Sequence, residues 1–158
     1  MGVIIRTATI KDLPKITELH QRFIHEQAML YDQAFYQLSD TAPKEWSLWA
    51  YEKLKGGELG LFVAEENTQI LGYVSGWVEH RAPVYALRKI GFLSNMYILP
   101  EYRGAGTGKK LNRVILKWFK EMGLEYVELN VDTRAKEAIA AWNAFGYNEV
   151  GKRMRIKI

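Results

Sequence analysis

The chain has 158 residues, 48% of them hydrophobic, a length that suits one domain over residues 1–158 and leaves no room for a second catalytic one. The absence of cysteine excludes disulfides, zinc–thiolate and iron–sulfur sites and any thioester carried on the enzyme. A formal net charge of +4 is far from the dense basic stripe of a nucleic-acid binder and suits a small anionic ligand.

Met1-Gly2-Val3-Ile4-Ile5-Arg6 lacks the apolar run of a signal peptide, and no later window approaches about 18 uninterrupted apolar residues. A cytoplasmic protein without a membrane span is expected. Val3 to Ala8 reads as a short strand, and Thr9-x-x-Asp12 has capping-box spacing, so a helix should follow. Leu13, Ile16, His20, Phe23, Ile24 and Gln27 fall at helical intervals, with an end between Gln27 and Leu30. From Ala28 to Pro43 the periodicity fades while the segment stays aromatic at Tyr31, Phe35 and Tyr36. Trp46, Trp49, Ala50 and Leu54 resume helical spacing, and Gly56-Gly57 stops that second helix.

Leu61–Glu65 and Ile70–Glu79, parted by a polar turn, read as a hairpin, and the connection from His80 to Lys89 leads to a fourth strand over Gly91–Leu99 that Pro100 ends. Leu111, Val114, Ile115, Trp118, Phe119 and Met122 mark a long amphipathic helix closed by Gly123. Tyr126–Val131 reads as a fifth strand and Ala135–Phe145 as a short helix. Val150–Ile158 alternates apolar and basic residues, which predicts a last, edge strand with Met154, Ile156 and Ile158 in the core and Lys152, Arg153, Arg155 and Lys157 in water. The order is β-α-α-β-β-β-α-β-α-β, an α/β fold.

Strand, Pro100, the glycine-rich turn Arg103-Gly104-Ala105-Gly106-Thr107-Gly108, then helix is an arrangement that points backbone amides and a helix dipole at one anion. A Walker A loop is excluded, because Arg103 stands where its first glycine belongs and Lys110 where its hydroxyl belongs. A dinucleotide loop is excluded too, since Leu111 occupies the place of the third glycine.

Arg103-x-x-Gly106-x-Gly108, preceded by Met96-Tyr97-Ile98-Leu99-Pro100-Glu101-Tyr102, resembles the acetyl-CoA motif of the GNAT superfamily of N-acetyltransferases. The resemblance covers nearly the whole chain, from the opening strand with Thr9 and Asp12 to the closing Ala138-Ile139-x-x-Trp142-x-x-x-Gly146-Tyr147. It implies a mixed, mostly antiparallel sheet with helices on both faces. It also implies that the amides of Arg103, Gly104, Ala105, Gly106, Thr107, Gly108 and Lys109 cradle the pyrophosphate of acetyl-CoA, and that Met96, Tyr97 and Ile98 pair with its pantetheine arm. The implied reaction is direct transfer of acetyl to a primary amine of a small molecule, peptide or protein, without a metal. A homodimer is implied by the habit of the family, and a catalytically silent acyl-CoA sensor is the rival reading.

Three positions depart from the family pattern. Trp142 stands where many members carry a tyrosine as general acid, and its indole cannot give up a proton near neutrality, which leaves it to pack the core or line the thioester pocket. Ala135 replaces an asparagine, and Ser94 replaces a carboxylate, so Ser94 can at most order a water for the acceptor. Alternative proton carriers are Glu79, His80 and Tyr97, of which Glu79 is expected opposite Ile90 where the acceptor arrives. By resemblance, the acceptor site draws on the first two helices and their connection, which offer His25, Glu26, Tyr31, Asp32, Phe35, Tyr36 and Trp46. Tyr31 and Tyr36 are the substrate-binding candidates there, in an aromatic wall suited to a cationic amine.

Overall fold

A computed structural model describes residues 2–158. β1 (Ile4–Thr7) leads through a capped turn to α1 (Leu13–Leu30), a short α2 (Gln33–Tyr36) and α3 (Ala42–Lys55). β2 (Leu59–Glu66), β3 (Gln69–His80) and β4 (Lys89–Ile98) form an antiparallel meander, followed by α4 (Thr107–Glu121), β5 (Val127–Leu129) and α5 (Lys136–Ala144). The sheet order is β1-β2-β3-β4-β5, antiparallel except for the parallel pair β4–β5. The mixed, mostly antiparallel sheet expected from the sequence is therefore present.

Strand alternation divides the core between two faces. Leu61, Val63, Tyr73, Tyr97 and Leu99 turn toward α1 and α3, where they meet Ile16, Leu19 and Ala50. Phe62, Ala64, Val74 and Leu93 turn toward α4 and meet Leu111, Ile115 and Phe119. Glycines set how closely α4 approaches. A Cβ at Gly60 would lie 2.6 Å from the Trp118 ring, and one at Gly76 2.7 Å from Phe119 Cζ, so both positions admit only hydrogen beneath the helix. The entry to α1 is fixed by Arg6, whose guanidinium bonds both Asp12 oxygens at 2.8 and 2.9 Å and also pairs with Glu65. Hydrogen bonding from Arg6 holds the Asp12 carboxyl well below the usual carboxylate range.

Three expectations need revision. The second expected helix starts earlier, at Ala42, with Pro43 in its first turn, and the aperiodic stretch before it contains α2, whose Asp32 caps Phe35 N. The helix of the glycine loop starts at Thr107, a turn before its first apolar residue. The last expected strand, Val150–Ile158, forms no ladder among the described residues. Tyr147 is pinned to α4 by a 3.0 Å hydrogen bond from its hydroxyl to Asn112 Oδ1, and Arg155 pairs with Asp32 at 2.9 Å. Between those anchors the arm crosses toward α2 instead of running along β5. Its apolar residues stay outside, with Val150 and Ile156 each 85% exposed and Met154 93%. Alternation marks a strand only where a pairing edge lies within reach.

Candidate functional site

The loop between β4 and α4 is built from main chain. Gly104 and Gly106 both adopt left-handed φ angles, +81° and +83°, which cost a side-chain-bearing residue roughly 1–2 kcal/mol. Gly106 is the N-cap of α4 and supplies no side-chain cap. The first helical amides have no carbonyl one turn back to reach, and among the described residues no backbone oxygen accepts from Thr107, Gly108 or Lys109. Open space lies above Gly104 and Gly106, where an added Cβ would meet nothing within 4 Å. The helix dipole adds about 0.3–1 kcal/mol for an anion there, and each charge-assisted bond about 1.5–3 kcal/mol.

Above this loop the sheet splits. β4 and β5 pair only at Gly91–Val127, Phe92–Glu128 and Leu93–Leu129. Beyond Leu93 the strands diverge, and the edge of β4 from Asn95 to Ile98 carries no neighbour on the β5 side among the described residues. At the point of divergence β4 is bulged: Gly76 pairs with Leu93 and Ser75 with Asn95, which leaves Ser94 as the extra residue. A bulge redirects side chains and ends regular pairing. Ser94 donates to Asn95 Oδ1 at 3.0 Å, and both residues line a cavity of about 250 Å³ on the α1–α3 face. Gly108 sits under the open edge, where an added Cβ would lie 3.5 Å from Ile98 Cδ1, 3.8 Å from Met96 Sδ and 3.6 Å from Phe145, the residue after α5.

The cavity itself is aromatic. Trp46 and Trp49 enter from α3, Trp77 from β3 beside Ser75, and His20 from α1. His20 stacks on Trp46, centroids 4.6 Å apart and planes at 18°, while Trp49 meets Trp77 edge-on at 5.6 Å. Phe92 backs Trp77 at 5.3 Å. Burial pushes the His20 imidazole down to about 4, so it is neutral at physiological pH. These residues escaped sequence reasoning, apart from Trp46, because His20 looks like one more position on a helical apolar face. The pairing of Ser75 with Asn95 is set by a bulge that no spacing announces.

The remaining candidates fall around this centre. Tyr97 presents its backbone on the open edge of β4, but its phenol points to α1 and donates to Glu26 Oε1 at 2.5 Å. Burial, then that bond, pushes the Tyr97 hydroxyl up to about 12, too weak an acid to protonate a leaving group. Arg103 closes the same cluster, with Nε on the Ile98 carbonyl at 2.8 Å and Nη2 on Glu26 at 3.1 Å. Glu79 does pair with Ile90, but it is exposed and lies outside the cavity lining, with Trp77 between it and Ser75 on the same strand face. Trp142 is half-buried against the α4 core, edge-on to Phe145 and Tyr147. Ala135 is buried.

Tyr31 just before α2 and Tyr36 at its end lie outside the cavity lining and near Arg134 and Asp132 of the β5–α5 connection. Arg134 from that connection donates to the Tyr31 carbonyl and pairs with Asp132 at 2.7 Å. Bonding to Arg134 lowers the Asp132 carboxyl to about 2, and burial raises the Tyr36 hydroxyl. The start of α2 is thus tied twice, by Arg134 on the Tyr31 carbonyl and by Arg155 on the Asp32 cap. Among the described residues no helix is long and apolar enough to cross a membrane, and no group of three His, Cys, Asp or Glu could hold a metal.

Comparison with known proteins gives one answer throughout. The model of the acetyltransferase (GNAT) family matches residues 16–147. An uncharacterised N-acetyltransferase of Methanocaldococcus jannaschii is 28% identical over 149 residues, 92% of this chain and 60% of that protein. This chain thus spans about three-fifths of that relative's length. Among solved structures, a point mutant of a Bacillus halodurans protein superposes with a TM-score of 0.84 at 19% identity, covering 98% of this chain and 99% of that one. A predicted acetyltransferase of Clostridium acetobutylicum, solved with acetyl-CoA, gives 0.77 at 21% identity, with coverage of 98% and 96%.

Proposed function

We propose that this chain, which belongs to the GNAT acetyltransferase family, moves the acetyl group of acetyl-CoA directly onto a primary amine of a small molecule or peptide. The observation that carries the reading is the split between β4 and β5, which opens from the unpaired amides of Thr107–Lys109 on one side to the bulge at Ser94 and the aromatic cavity on the other. A pyrophosphate suits the amides of the loop, and the unpaired edge from Asn95 to Ile98 suits the amide-bearing arm of the cofactor as an added strand. Acetyl-CoA in the structure of the Clostridium protein supports the same choice of donor.

In this arrangement the thioester carbon reaches the bulge and the amine approaches through the cavity. The amine nitrogen attacks the carbonyl carbon and forms the N–C bond, the C–S bond breaks, the thiolate leaves, and the nitrogen gives its surplus proton to water. An ammonium of pKa about 10.4 must first lose a proton, at a cost of roughly 4.6 kcal/mol at pH 7. Neither Trp142 nor Tyr97 is fit to protonate the leaving sulfur. A thiolate with an ordinary pKa near 8.5 leaves without such help, and juxtaposition supplies most of the acceleration. The test exploits the composition of the chain: with no cysteine present, a thiol reagent reads released CoA alone. Amine-dependent thiol release is expected. Tight acetyl-CoA binding with no release for any amine would favour the sensor reading instead.

The apolar side of the C-terminal arm supports a homodimer. Val150, Met154 and Ile156 are exposed, the outer edge of β5 is unpaired, and Glu125 and Glu128 beside that edge complement Lys152, Arg153 and Lys157. A second copy supplies the matching edge. Sedimentation of the full chain should give a dimer and of a chain ending at Glu149 a monomer; equal masses would overturn the pairing.

A further inference from the structure

We infer that the acceptor amine is carried on an aryl or heteroaryl group, whose ring lies among Trp46, Trp49 and Trp77 while its nitrogen meets His20 and Asn95 at the bulge. This rests on the acetyl-transfer reading above. Three independent features of the cavity lead to it.

The first is size. About 250 Å³ between the rings holds one ring with a short side chain. The second is shape. The stacked His20–Trp46 pair and the edge-on Trp49–Trp77 pair stand at different angles around one space, so a planar guest finds both a ring face and a ring edge.

The third is polarity. Among the described residues the lining contains no carboxylate, so a second or third ammonium of a polyamine would be desolvated without a counter-charge. A single ammonium at the mouth is attracted by the indole faces, and loses that need once deprotonated. The polar groups that are present converge. The His20 ring makes no hydrogen bond among the described residues, and Ser94 engages only the Oδ1 of Asn95, leaving the Asn95 amide nitrogen free. Burial keeps the His20 ring neutral, so one of its nitrogens accepts a hydrogen bond and the ring does not repel an incoming cation.

The bland alternative is that these rings only pack α3 onto the sheet. It is separated by an equilibrium measurement that requires no turnover. The chain has five tryptophans, and Trp118 and Trp142 lie on the opposite face, so they serve as internal controls for indole N–H resonances during titration with phenethylamine, n-butylamine and spermidine. Phenethylamine is expected to shift the resonances of Trp46, Trp49 and Trp77 alone, at least tenfold more tightly than either other amine, and Trp49→Leu should remove that preference. Equal affinities, shifts spread over all five indoles, or tighter binding of spermidine would overturn the inference. A separate titration with acetyl-CoA reports on the transfer reading, so failure of one is distinguishable from failure of the other.

Discussion

The loop at Arg103–Lys109 lies under the open edge of β4 and the cavity of Trp46, Trp49 and Trp77 lies at the β4 bulge, and the proposed function asks each to hold its ligand with different materials. The loop offers main-chain amides held by two left-handed glycines, and almost any side chain elsewhere in it is compatible with that task. The cavity offers side-chain rings fixed by packing between α1, α3 and the sheet, and its backbone is ordinary apart from the bulge. A donor common to a whole family can be held by backbone, which changes little as sequences drift. An acceptor peculiar to one enzyme has to be held by side chains, which can be exchanged one at a time.

That contrast makes the two halves separable by mutation. The largest effect is expected from Gly106→Asp, which places a carboxylate at the proposed pyrophosphate site and strains a left-handed position. Losing several charge-assisted bonds amounts to at least about 4 kcal/mol, or a thousandfold in affinity. The readout is the rise in thermal midpoint that acetyl-CoA gives the wild type, which should vanish in the variant while amine binding to the indoles persists.

Next is His20, whose folded pKa of about 4 lies below the unfolded 6.5. A histidine depressed in the folded state leaves the unfolded chain binding more protons between those values. Stability is therefore full above about pH 6.5 and falls as pH drops toward 4, by roughly 3 kcal/mol at most. His20→Gln should flatten that part of a urea-unfolding series against pH, and an unchanged slope would show the ring to be freely protonated.

Trp49→Leu should raise KM for an aryl amine about tenfold and leave acetyl-CoA affinity unchanged; a matched loss of both would mean the two halves are not independent. The smallest effect belongs to Arg134→Ala. It frees the Tyr31 carbonyl at the start of α2, an exposed and solvent-screened contact, and should alter acceptor KM a few-fold with no change in the donor.

The same contrast explains what could be read from the amino-acid order. Gly104, Gly106 and Gly108 lie within one turn, so their spacing along the chain is their spacing in space, and the glycine turn before α4 was legible. His20, Trp49, Ser75 and Asn95 come from four elements, and only tertiary packing brings them together. Glu79 was placed correctly opposite Ile90, yet Trp77 stands between it and the bulge, a consequence of strand direction that pairing alone does not reveal. The arm after Tyr147 shows the converse: its alternation is real, but it forms no ladder among the described residues, being held at Asn112 of α4 on one side and at Asp32 on the other.

Calorimetric titration of the wild-type protein with acetyl-CoA tests the central claim most directly. The account predicts saturable, micromolar binding at one site per chain. Absence of binding at millimolar acetyl-CoA would contradict it, since amides left unpaired at the start of α4 and along β4 would then serve some other ligand.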